Sequence, residues 1–361
     1  MPSTESVSPA DLILCTCAQR DYKTRDVMDA AAWRGDLDES WHRLLLALEA
    51  EKHAEEAELD YDDDEIDAAA EAFRYERDLI TAEETEKWLS TRSLNLDDFG
   101  DYFTRKYWGT TLAEEVAAPE KSYADAPDDL RHLLTIELIL SGDIDRLTNE
   151  LVWRLAAACE LPNPNPEKMS AAEAEFLERH GMDASELPNW LDGMGRDMSW
   201  FAEMQTMEAA YRQLCSTLLV PAAYKNELST LRLPLTRFET EVIELESLDA
   251  AKEALFCVTE DGMSMEEVAA EGRYPFKRVD FLLEDLPPDL QQILMSISAG
   301  ELVDPLPHGD GFELCRVVNK IEPDPEDPTV KERVERRLLE RHLDDLAGKH
   351  VSRRLNAIVT E

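Results

Sequence analysis

The sequence predicts an α+β protein: a mainly α-helical module, a small mixed domain inserted after it, and a closing helix that packs back on the first module. Three observations carry this. Apolar residues recur at helical spacing through most of the first 219 positions. One clear apolar/polar alternation follows, FETEVIEL over residues 238–245, which is the period of a strand. Last, Val330, Val334, Leu338, Leu339, Leu343, Leu346 and Val351 form a single stripe along residues 329–354, a long amphipathic helix preceded by the chain-breaking Pro323, Pro325 and Pro328. The divisions expected are 1–232, 233–322 and 323–361.

The first module reads as helical nearly throughout. Residues 38–57 put Trp41, Leu44, Leu45 and Leu48 on one face, and residues 65–79 continue with Ile66, Ala69, Phe73 and Leu79. Thr81 and Glu84 form a capping box ahead of Trp88 and Leu89. Asp97 and Asp98 open a helix running through Phe99, Phe103, Tyr107 and Trp108. Residues 128–140 and 144–159 give two strongly apolar helices. Pro162, Pro164 and Pro166 form a loop, after which Ser170 caps a helix reaching Phe176 and His180. Residues 194–219 supply a long helix carrying Met198, Phe201, Met204, Met207, Tyr211 and Leu214. A methionine-rich face of this kind fills a core or adapts to varied partners. Residues 220–234 read as a linker to the first strand.

In the small domain, Asp249 opens a helix with Ala250, Ala254, Leu255 and Val258 on one side, and Gly262 closes it. Ser264 and Glu267 form a second capping box, starting a helix with Met265, Val268 and Ala269. Residues 279–283 and Leu286-Pro287-Pro288 lead to a further helix with Leu290, Ile293, Leu294 and Ile297. Residues 299–305 (AGELVDP) form a turn, and Gly311-Phe312 opens a last strand through Leu314, Val317 and Val318.

The order and spacing of these segments resemble the parvulin-type prolyl isomerases. The helical run, linker and strand together resemble the layout of SurA-type chaperones. The family's Leu-x-x-Gly-Glu turn, its Gly-Tyr/Phe-His step and its Gly-x-x-Phe helix start correspond here to residues 297–305, Gly311-Phe312-Glu313 and Gly262–Met265, with Met265 in place of the Phe. The chemistry does not carry over. The first catalytic His corresponds to Val242, the second to Glu313, and the family's Thr to His308. Residues 271–275 offer neither the Cys nor the Asp that usually faces substrate, and that connection is short. The resemblance therefore implies a degenerate site that does not lower the X–Pro barrier of about 18–20 kcal/mol, with an isomerase of altered site as the alternative. It also extends to parvulin-related peptide maturation proteins and to the nitrogenase iron-protein maturation isomerase. This implies a protein that holds a peptide or unfolded client, such as a ribosomally made modified peptide, for another factor, peptide-modifying enzymes included. Candidate contacts are Met265, Phe281, Leu286 and Phe312 in the small domain, and Met198, Phe201, Met204, Met207 and Tyr211 in the helix.

Composition sets the limits. The 79 acidic and 37 basic residues give a net charge of −42, which argues against nucleic acid, since phosphates need a basic face. Such acidity fits either an acidic groove for basic peptides or adaptation to a salty medium. The 12 Lys against 25 Arg favour the latter. The eleven acids of residues 49–67 lack the Gly and final Glu of an EF-hand loop. No apolar run spans a membrane, and Leu12-Ile13-Leu14 is too short for an export signal, so a cytoplasmic location is expected. The six cysteines are scattered, and Cys15-x-Cys17 alone is a poor zinc motif. Neither a metal nor another cofactor is expected.

Overall fold

The computed structural model describes residues 7–354. They form two compact units. One comprises the residues up to Thr217 together with those from Arg341 on, and the other runs from Leu218 to Glu340.

The first unit opens with a hairpin, β1 (Ile13–Cys17) and β2 (Arg20–Lys23). Its turn residues Ala18 and Gln19 both take positive φ, at 47° and 67°, the conformation a two-residue hairpin turn requires. Ten helices follow: α1 (Thr24–Arg34), α2 (Asp38–Glu56), α3 (Asp63–Glu76), α4 (Ala82–Ser90), α5 (Leu96–Thr111), α6 (Asp128–Ser141), α7 (Asp143–Glu160), α8 (Pro166–Arg179), α9 (Leu187–Gly193) and α10 (Met198–Leu218). Their starts are written locally. Thr81 and Glu84 make the reciprocal capping box at α4, and Asn95 and Asp98 make another at α5. The core is aromatic and dense. Phe176 stacks on Trp33 at 5.7 Å and meets Phe201 edge-on at 5.1 Å, and Phe176 and Phe201 are fully buried. Buried Arg154 donates to Glu208 and Glu150, both at 2.6 Å, and Arg212 completes the cluster on Glu208. A buried cation needs such partners to offset its lost hydration.

In the second unit α11 (Pro221–Thr230) leads into β3 (Arg237–Leu245), α12 (Leu248–Thr259), α13 (Met265–Gly272), β4 (Phe276–Leu282), α14 (Pro288–Ser296), β5 (Leu306–His308) and β6 (Gly311–Ile321). The four strands form an antiparallel sheet in the order β4-β3-β6-β5. Ser264 and Glu267 make the capping box that starts α13. A Cβ on Gly311 would lie 2.4 Å from the Leu245 carbonyl oxygen, so the close approach of β6 to the end of β3 requires glycine there. The last helix, α15 (Pro328–His350), gives Val330 and Val334 to a small cluster with Leu231, Leu235 and Leu282 in this unit. Its final turns give Leu346 and Ala347 to the core of the first unit. The chain ends its described course as β7 (Val351–Arg353), paired antiparallel with β1 in a sheet of order β2-β1-β7.

The fold class is α+β and mainly helical, with the closing helix ending in the core of the first unit. Five local expectations are corrected. The N-terminal module contains a three-stranded sheet as well as helices. Asn165, not Ser170, caps α8, accepting from the Glu167 N–H with Pro166 at the first helical position. The expected helix over 194–219 begins at Met198, after the separate helix α9. Residues 221–230 are helical rather than a linker. Val351, expected on the stripe of the last helix, belongs to β7. No helix among the described residues is long and apolar enough to cross a membrane.

Candidate functional site

Strand period puts alternate residues of β3 and β6 on opposite faces, and the register fixes which ones. Val242 opposes Cys315, Ile243 opposes Leu314, Glu244 opposes Glu313 and Leu245 opposes Phe312. A register shift after Glu239 leaves Val318 as the extra residue of β6 and sets Lys320 opposite Phe238, which shares a side with Val242 by the period of β3.

One face, bearing Ile243, Leu245 and Leu314, is covered by α12 and α13 through Ala251, Ala254, Met265 and Val268, with Leu255, Tyr274, Phe276, Leu302 and Phe312 partly exposed around it. The other bears Phe238, Val242, Cys315 and Val317, and is covered by Leu283, Val303 and Leu294 of α14. Around this second cluster Phe281, Leu286, Ile293, Ile297 and Leu306 stay partly exposed. The segment holding the expected Gly-Glu turn lies beside β6: the Gly300 N–H donates to the Val317 carbonyl at 2.6 Å, and the Val303 N–H to that of Cys315 at 2.8 Å. Gly300 has φ +91°, a left-handed conformation that glycine adopts without strain.

At the end of this second face lies a charged cluster. Lys277 Nζ donates to Glu244 Oε1 at 2.7 Å and to Glu313 Oε1 at 3.3 Å, while His308 Nε2 lies 3.6 Å from Glu313 Oε1. The hydrogen bond from Lys277 lowers the pKa of Glu244 below the ordinary carboxylate value. Beneath the cluster, burial pushes the Cys315 thiol up to about 11, so it stays protonated and unreactive near neutrality.

The three positions read as degenerate therefore come together at one end of one sheet face. Val242 is buried among aliphatic and aromatic side chains, Glu313 is held by Lys277, and the His308 side chain is 61% exposed on the rim. The peptide-contact candidates do not form one surface. Phe281 and Leu286 belong to the face under α14, with Phe281 stacked on Phe238 at 6.1 Å. Met265 is fully buried on the face under α12 and α13, and Phe312 packs there as well. In α10, Phe201, Met204 and Met207 fill the core of the first unit, and Tyr211 lies under the Arg154 guanidinium at 4.2 Å. Met198 alone of that set is largely exposed, at 55%. Sequence reading missed Glu244 and Lys277. The charge alternation of β3 was visible, but only the β3–β4 register brings Lys277 to it. Among the described residues no cluster of His, Cys, Asp and Glu has the geometry of a metal site.

No protein-family profile matches the chain, and no curated protein sequence matches it. Similar solved structures include the peptidylprolyl isomerase PrsA of Bacillus cereus, at 11% identity and a TM-score of 0.36 over 58% of this chain and 84% of that one. PrsA of Bacillus anthracis aligns at 14% identity and a TM-score of 0.30, over 56% and 94% of the two chains. A SurA-like chaperone structure from Campylobacter jejuni aligns at 11% identity and a TM-score of 0.20, over 65% and 95%. Likeness at this level carries no argument, and the fold rests on the elements described above.

Proposed function

We propose that this protein holds an extended peptide or unfolded client on the face of its four-stranded sheet that α14 covers and does not isomerise X–Pro bonds. The observation that supports this most is the side-chain content of that face. The positions that correspond to the parvulin imidazoles are a buried valine and a glutamate engaged by lysine. Isomerisation needs fixed polar groups around a desolvated amide. Val242 offers no polar atom, and His308 sits on a solvated rim. Peptide capture needs less: partly exposed apolar side chains for area, and a charged edge for selectivity and on-rate. Phe281, Leu286, Ile293 and Leu306 supply the first, and Glu244 and Glu313, at the other end of β3 from Phe281 and next to Leu306, supply the second. The sequence resemblance to peptide maturation proteins supports a client that passes on to a modifying enzyme.

Titration of a proline-containing unfolded peptide, followed by NMR of the protein, tests this reading. Shifts centred on Phe281, Leu286 and Leu306 support it; binding elsewhere, or none at millimolar peptide, rejects it. A basic peptide gives a second arm. Screening shortens from about 10 Å at 0.1 M salt to about 3 Å at 1 M, so a charge-recruited client weakens at molar salt. Binding that strengthens there removes the acidic edge from the account.

A further inference from the structure

We infer that Cys17 and Cys159 form a reversible disulfide in response to a hydroperoxide, tying β1 to α7 in the first unit. The two Sγ atoms lie 3.5 Å apart although the residues are 142 positions apart in the chain. That is contact distance between unbonded sulfurs, so closure asks only a small side-chain rearrangement, whereas a bond between distant thiols would need backbone movement. Cys17 is buried on the central strand of the β2-β1-β7 sheet, and Cys159 is exposed at the end of α7. Both line a solvent-facing slot of about 580 Å³ with Leu155, Ala158, Ala202 and Met207, wide enough to admit a small peroxide.

The unequal exposure orders the steps. Burial first, and then the neighbouring Cys159, push the Cys17 thiol up to about 12, which keeps it protonated and withdrawn from the oxidant. Cys159 meets solvent. Its thiolate attacks the distal peroxide oxygen, the O–O bond breaks, and water or an alcohol leaves as Cys159 becomes a sulfenic acid. The Cys17 sulfur then attacks the Cys159 sulfur, the S–O bond breaks, and water departs with the Cys17 proton. The net reaction is two thiols plus one hydroperoxide giving one disulfide, one water and one alcohol or second water. A thiol reductant reverses it by exchange. Cys15 is an unsuitable rival, because it is fully buried and its thiol is also raised to about 12, by desolvation.

The reduced full chain is treated with stoichiometric hydrogen peroxide, digested without reductant and mapped by mass spectrometry. The expected product is a peptide pair joined through Cys17 and Cys159, with two of the six thiols lost and a higher thermal midpoint that dithiothreitol reverses. The cross-link closes a long loop, which is where such constraint stabilises most. A Cys159→Ser chain should lose the linkage and keep all remaining thiols under the same dose. Because Cys159 is exposed, this variant should fold. A first linkage through Cys15, or a Cys159 that passes to sulfinic acid while Cys17 stays reduced, would overturn the inference.

Discussion

The two faces of the four-stranded sheet are drawn from alternate residues of the same strands, yet they are finished differently. On one, Ile243, Leu245 and Leu314 meet Met265, Ala251 and Ala254, and α12 and α13 close the cluster. On the other, Phe238, Val242 and Val317 are closed at their centre by Leu283, Leu294 and Val303, while the margin stays half open and ends in the Glu244–Lys277–Glu313–His308 cluster. Both keep a partly exposed apolar margin, and the second also carries Val242, His308 and Glu313, the positions that the sequence resemblance singles out. Both faces also carry charged strand residues, Glu241 with Arg278 and Arg316 on the first and Glu244 with Lys277 and Glu313 on the second.

Substitutions on the two faces should separate stability from binding. The largest effect belongs to the face under α12 and α13. Met265→Ala removes a fully buried side chain and should cost about 2–5 kcal/mol, read by denaturant unfolding. The affinity of the folded fraction for peptide should be unchanged. Phe281→Ala on the face under α14 should reverse the balance, with a smaller fall in stability and peptide affinity reduced about tenfold, roughly 1.4 kcal/mol, in a titration. Equal affinity losses in the two variants would erase the distinction between the faces.

The smallest effect lies in the charged cluster. Lys277 and Glu244 are both near 40% exposed, and an exposed pair contributes little. Lys277→Met should leave the unfolding midpoint at neutral pH almost unchanged. Its signature is in acid. The folded pKa of Glu244 is lowered by the hydrogen bond from Lys277, so the pair's contribution is complete above the ordinary carboxylate pKa and fades as pH falls through the lowered value. The wild type should therefore lose slightly more stability than the variant between neutral pH and the acid side of that range. Parallel acid curves would show that the pair is idle.

Much of the small unit was legible because its signals are local. The alternation of residues 238–245 is the strand β3, and Ser264 with Glu267 starts α13 by side chains three residues apart. The missed sheet of the first unit is the opposite case. β1 is five residues long, and its second neighbour β7 comes from the other end of the chain, a pairing that no local period encodes. At α8 the sequence offers both Ser170 and the Asn165-Pro166 step as a start, and proline at the first helical position is the stronger mark. The methionine stripe of α10 shows the limit on the site itself. Periodicity reveals that Phe201, Met204 and Met207 share a side, but only tertiary packing reveals that Phe176 and Trp33 are already there. The positions of Val242, His308 and Glu313 were legible through the resemblance, and their clustering with Lys277 came from strand register alone.

The central claim, capture without catalysis, is met most directly by exchange NMR on a short X–Pro peptide at saturating protein, with binding and isomerisation read in one sample. The account predicts peptide-induced shifts at Phe281 and Leu286 while cis/trans exchange keeps its uncatalysed time of tens to hundreds of seconds. Exchange accelerated well beyond that, and restored to the slow rate by Glu313→Ala, would contradict it.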